Sequence, residues 1–164
     1  MPLPMTPLMI AAVKSQRPMA RTRPGGAILA SLVAGEAAAA DGDRQAIESV
    51  IRTAYIEGVH VKGDPALMRK GFHPDFRMFM LRDGALTTIT LDEWAGRIEK
   101  AARERTGPAP QIRAEFPLVD VVKDEAVARV EVHRDGKHIF TDYLSLYRFA
   151  DGWKIVGKIF QSHS

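Results

Sequence analysis

Cysteine is absent from the 164 residues, which removes disulfides, thiolate metal sites and a cysteine nucleophile together. No stretch of 18 or more apolar residues occurs, so no membrane-spanning helix and no membrane partner are expected. Aromatic residues are scarce at 7%, and any aromatic cluster must draw on residues far apart in the chain. Neither sign of charge dominates, with 23 Lys and Arg against 20 Asp and Glu and a net charge of +3. The basic residues are scattered, so no nucleic-acid stripe is expected. No Gly-rich phosphate loop, nucleophile elbow or metal-ligand spacing is present, and no metal or cofactor is called for. What remains is ordinary for one globular domain, 46% apolar and 26% charged.

The first 42 residues differ from the rest. From Met19, Arg21 and Arg23 form a positive region, Ala27 to Ala34 an apolar core, and Ala38-Ala39-Ala40 a small-residue cleavage site. The segment reads either as a leader, which would place the protein in the periplasm or outside the cell, or as a flexible extension of a cytoplasmic protein. The fold is sought in residues 43–164.

Asp43 is placed to N-cap a helix whose apolar residues Ile47, Val50, Ile51, Ala54, Tyr55, Gly58 and Val59 keep the i, i+3, i+4 spacing. Gly63 stops it. Asp64-Pro65 starts a short second helix, with proline where its missing N–H costs nothing. Phe76 to Leu81 reads as a strand closed by Asp83-Gly84. Thr90 and Glu93 form a capping box for a third helix carrying Trp94, Ile98 and Ala101 inward. From Gln111 onward only strands are predicted, turning at Lys123-Asp124, Asp135-Gly136 and Asp151-Gly152. Three helices leading into a four-stranded meander, with one earlier strand joining it, imply an α+β layer fold.

Regular pairing across Asp135-Gly136 sets His133 opposite His138 and Arg129 opposite Asp142. Pairing Phe149 with Trp153 sets Tyr147 opposite Ile155 and Ser145 opposite Gly157. One sheet face then carries Tyr143, Ser145 and Tyr147 toward the helices. The other carries Arg129, Glu131, Asp142 and Lys158 among Leu144 and Phe160, a mixture that suits a homodimer interface.

The order from Tyr55-Ile56-Glu57-Gly58 through Phe72-His73-Pro74-Asp75-Phe76 to Asp151-Gly152-Trp153-Lys154 and Lys158-Ile159-Phe160 resembles the nuclear transport factor 2-like superfamily. Within it, the stretch looks like the lumazine-binding family. The resemblance implies a cone-shaped α+β domain, three N-terminal helices packed on a curved, mostly antiparallel sheet that encloses a pocket. It leaves the ligand open, because this fold hosts both enzymes and binding modules. Ketosteroid isomerases share the layout, with a general-base aspartate in the first strand. Here that place holds Met80, flanked by Phe79 and Leu81, none of which accepts a proton.

Two function classes follow. In the first, a small heteroaromatic molecule is bound by Tyr55, Phe72, Met78, Met80, Trp94, Tyr143, Ser145, Tyr147 and Trp153. In the second, a lyase or isomerase uses His73 or His60 as base and Tyr55 or Tyr143 as donor to an oxyanion. His73 also suits a turn contact with Asp75, and Tyr55 also suits packing on the apolar stripe. His133 and His138 offer only two ligands, between the cations Arg134 and Lys137, which is too few for a metal.

Overall fold

The computed structural model describes residues 40–163; the leader or extension read up to residue 39 lies outside the described residues. Helix α1 runs through residues 40–62 and changes pitch partway. Its second half, Ile51–Lys62, is wound as a π-helix, in which the backbone ladder slips to i→i−5. The wider turn brings Tyr55, Val59 and His60 onto one side, so that Ile56 and His60 are buried together with the expected apolar stripe. Gly63 ends the helix in the left-handed region at φ 64°, its N–H donating to the Gly58 carbonyl.

Asp43 does not cap this helix. Helical backbone already runs through residues 40–43, and the Asp43 carboxylate instead accepts from the Arg148 guanidinium at 2.7 Å. Helix α2, Pro65–Gly71, follows at once, capped by Asp64 accepting from the backbone N–H groups of Ala66 and Leu67. Gly71 is required by packing: a Cβ there would lie 2.5 Å from the Ala54 Cβ of α1.

Strand β1, Phe72–Arg82, turns through Asp83-Gly84 into β2, Ala85–Thr90. Both turn residues have positive φ, 51° and 77°, the mirror-image turn that matches the twist of paired strands. Helix α3, Leu91–Arg103, comes next, with its Thr90/Glu93 capping box formed in both directions. The helices are thus not all N-terminal to the sheet: a hairpin separates α2 from α3. Strand β2 escapes sequence reading because only Ile89 of its six residues is buried, so no alternation marks it.

The remaining strands are β3, Ile112–Val122, β4, Glu125–Arg134, β5, Lys137–Phe149, and β6, Gly152–Ser162. The open six-stranded sheet has the order β2-β1-β6-β5-β4-β3. All neighbours are antiparallel except β1 and β6.

Two bulges decide which side chains face the helices. His133 does pair with His138, but Ile139 is left over and Val132 pairs with Phe140, so Arg129 meets Tyr143 and not Asp142. The last turn uses Ala150-Asp151, with Phe149 opposite Gly152; Val156 is then the extra residue, so Leu146 meets Ile155 while Ser145 meets Gly157. Because strand side chains alternate, one inserted residue moves every later side chain to the opposite face. Asp142, Leu144, Leu146, Lys158 and Phe160 therefore share the helix side with Val130 and Val132. Tyr143, Ser145, Tyr147 and Ile159 face outward and are exposed.

The core between sheet and helices is held by an aromatic cluster. The Trp94 ring lies 5.5 Å from Phe72 and 5.7 Å from Phe76, and Phe72 packs edge-on to Tyr55 at 6.4 Å. Such offset and edge contacts add about 0.5–1.5 kcal/mol per pair beyond area burial.

Candidate functional site

Between the helices and the sheet lies a cavity of about 380 Å³. Its wall is drawn from every layer: Tyr55, Val59 and His60 of α1, Met78 and Met80 of β1, Trp94 and Ile98 of α3, and Phe140 and Phe160 of β5 and β6. Lys158 of β6 joins this wall, with Arg97, Arg105 and Arg134 around it.

Lys158 anchors a buried polar group. Its side chain is 4% exposed and that of Asp142 is 0% exposed, with Nζ 2.5 Å from Asp142 Oδ1. The Tyr55 hydroxyl donates to Asp142 Oδ2 at 2.6 Å, and the Lys158 ammonium donates in turn to the Tyr55 oxygen. The ammonium also lies 4.3 Å from the Tyr55 ring centroid and 5.0 Å from that of Phe160, within cation–π range. Burial pulls the Lys158 amine below its ordinary range, and the Asp142 charge offsets part of that. Burial and the same carboxylate push the Tyr55 phenol well above its ordinary value, so it stays protonated. Asp142 takes two donors, satisfying a carboxylate that would be costly alone in this interior.

His60 stands beside this group, its ring 4.8 Å from Tyr55. Its Nε2 is buried without a hydrogen-bond partner. Burial, then the charges of Lys158 and Arg134, lower its pKa to about 3, so it is neutral at physiological pH.

The sequence-selected residues divide cleanly. Tyr55, Met78, Met80 and Trp94 line the cavity. Phe72 and Trp153 are buried in the core without lining it. Tyr143, Ser145 and Tyr147 lie on the outer sheet face, a correction that follows from the bulge at Ile139. The same shift takes Asp142, Leu144 and Lys158 out of the expected interface and buries them, and places Phe160 in the cavity wall. Arg129 and Glu131 stay on the outer face, paired to each other at 2.5 Å.

His73 lies away from the cavity: its Nδ1 accepts from the Asp75 backbone N–H at 3.1 Å and its ring stacks 4.8 Å from Phe149. His133 and His138 stack at 4.8 Å, and His163 joins them at 4.1 Å from His138. The Nε2 atoms of His138 and His163 lie 3.2 Å and 2.9 Å from the Thr141 hydroxyl oxygen, and among the described residues no group of three or more potential ligands is placed to hold a metal.

Sequence reading missed the three arginines and Phe140 of the cavity. One signal was available for the buried pair. Asp142 sits between Phe140 and Leu144, and Lys158 two residues before Phe160, so opposite charges stand at inward positions of adjacent strands.

The fold recurs in solved structures of nuclear transport factor 2-like proteins. A protein of unknown function from Shewanella baltica is 27% identical, with a TM-score of 0.63 over 75% of this chain and 95% of that one. One from Methylobacillus flagellatus is 24% identical at a TM-score of 0.60, over 75% and 94%. Another from Silicibacter pomeroyi is 21% identical at 0.62, over 76% and 98%; these last two show the fold alone. The chain is thus a nuclear transport factor 2-like protein. Residues 42–161 match the family described as "Putative lumazine-binding", and the chain belongs to that family. No curated protein matches it.

Proposed function

We propose that the domain binds a small, largely aromatic molecule in the cavity between α1, α3 and the sheet. One observation carries this reading: a cavity of about 380 Å³, within the size range of ligand sites, is walled mainly by apolar and aromatic side chains, with Lys158, Tyr55 and His60 as its buried polar groups. The Lys158–Asp142–Tyr55 group would fix the orientation of the ligand, since the ammonium can donate to a ring carbonyl or ring nitrogen. The family description supports a heteroaromatic ligand of the lumazine type as the first to test.

Acid–base chemistry of the isomerase kind is less well supported. His73 lies away from the cavity, and His60, with a pKa near 3, is a weak base for removing a proton from carbon. The Tyr55 proton is already donated to Asp142.

The test is a thermal-shift screen of the full chain with lumazines, flavins and steroids. A ligand at 100 times its Kd stabilises by about 2.7 kcal/mol, a shift of several degrees. The shift should vanish in Met80→Trp, which fills the cavity. Stabilisation by no compound, or stabilisation that survives Met80→Trp, would reject the reading.

We further propose a homodimer through the outer face of the sheet. Tyr143, Tyr147, Val127 and Ile159 are exposed there around the Arg129–Glu131 pair, an apolar centre of the kind that subunit interfaces bury.

A further inference from the structure

The charged groups of the cavity wall are all of one sign. Lys158 is neutralised locally by Asp142, whereas among the described residues no carboxylate lines the cavity and none lies within 4 Å of Arg97, Arg105 or Arg134, the Glu93 carboxylate facing Arg97 only at longer range. Elsewhere Arg77 and Arg82 donate to backbone carbonyls and to Met80 Sδ, respectively, but most arginines hold acids: Arg44 pairs with Glu48, Arg69 with Asp92, Arg103 with Glu99, and Arg148 with Asp43 and Asp124. Among the described residues, none of the three cavity arginines has such a partner. Arg105 donates through Nη1 to the Val61 carbonyl at 2.8 Å, which holds its guanidinium beside the end of α1 while leaving its charge unmatched. All three are exposed while they line the cavity, so they stand where it meets solvent.

A second observation inside the wall points the same way. His60 is 7% exposed, and its Nε2 has no partner. It is a neutral polar group left unsatisfied beside a surplus of positive charge. Buried polar groups ordinarily find partners, and an orphan in a cavity wall is completed most simply by a ligand.

We propose that the ligand is an aromatic organic anion: a planar ring body lying among Trp94, Phe140 and Met80, with a carboxylate, sulfonate or phosphate held by Arg97, Arg105 and Arg134. This rests on the reading of the cavity as a ligand site and adds the charge of what fills it. Guanidinium groups suit such anions because their fixed fork of donors matches two oxygens at once. The apolar wall accepts the rings, and the arginines exclude neutral analogues only weakly, so discrimination should appear mainly as a difference in affinity.

The experiment compares two dyes with the same skeleton on the full chain. One is 1-anilinonaphthalene-8-sulfonate, an anion; the other is N-phenyl-1-naphthylamine, which lacks the sulfonate. Fluorescence titrations should show the anion binding about tenfold more tightly at low salt, with the advantage shrinking as salt rises. The double variant Arg97→Gln/Arg134→Gln, at two exposed positions, should bring the anion down to the affinity of the neutral dye and leave the latter unchanged. Met80→Trp should abolish both, separating the cavity from adsorption on the outer face.

Equal affinities in the native chain, or an anion affinity indifferent to the double variant, would overturn the inference. If Met80→Trp still abolished both dyes in that case, the cavity would remain a ligand site, one without charge selection. No binding of either dye, or binding that survives Met80→Trp, would overturn the cavity reading and the inference together.

Discussion

Lys158 and Asp142 lie on adjacent strands, out of contact with water, with 2.5 Å between the ammonium nitrogen and the nearer carboxylate oxygen. Leu144 pairs with Lys158 and Asp142 with Phe160, so the two charges are diagonal neighbours on the inner face. Such a pair does not by itself imply net stabilisation, because desolvation offsets much of the attraction. The two donors to Asp142, the Lys158 ammonium and the Tyr55 hydroxyl, belong to side chains that line the cavity.

Breaking the pair from one side should be costly. Lys158→Met leaves the Asp142 carboxylate buried with only the Tyr55 donor, and Asp142→Leu leaves the ammonium uncompensated; either should lose about 3–5 kcal/mol. The double variant Asp142→Leu/Lys158→Met should be less destabilised than the sum of the two. Urea unfolding of the three variants measures the coupling, and simple additivity would count against the pair as described.

Acid should destabilise the fold through His60. Its folded pKa of about 3 lies below the ordinary value near 6.5, so the unfolded chain binds more protons between these limits. Stability is therefore complete above about pH 6.5 and falls steadily toward pH 3, by roughly 4 kcal/mol for this group alone. In His60→Gln the slope of unfolding free energy against pH over that window should be shallower. An unchanged slope would show that His60 is not buried as described.

Close packing of α1 on α2 makes Gly71 intolerant. Gly71→Ala places a methyl group 2.5 Å from Ala54 Cβ and 2.9 Å from Val50 Cγ1, and overpacking of this kind costs about 1–3 kcal/mol. Gly107→Ala, with nothing within 4 Å, is the control and should leave the melting temperature nearly unchanged. Equal melting temperatures in the two variants would contradict the helix contact.

The outer face gives a test of assembly. Light scattering of the native chain should report twice the 18.1 kDa of one chain, and Tyr143→Glu/Tyr147→Glu should report a monomer, because introduced carboxylates oppose burial of that face. A native monomer would remove the dimer proposal. A dimer indifferent to the double variant would move the interface off this face.

The local elements were legible because their signals are local. Gly63, the Asp64-Pro65 start, the Thr90/Glu93 box and the Asp135-Gly136 turn each depend on residues a few positions apart, and each forms as its chemistry requires. The order of elements likewise carried the resemblance that residues 42–161 bear out. Strand β2 escaped because, as an edge strand with one buried residue, it leaves no periodic trace.

The composition of the site was decided by tertiary structure. Strand alternation fixes which residues share a face but not which face is inward, and the leftover residues Ile139 and Val156 reverse the assignment in the middle of two hairpins. Tyr55 and Trp94 could be chosen from sequence because they stand on apolar helix stripes, and Met78 and Met80 because they alternate with Phe79 beyond the irregular stretch between Phe72 and Arg77. Asp142, Lys158 and the three arginines could not: their meaning depends on which charges have partners, and a partner is a property of space, set by packing between strands and helices far apart in the chain.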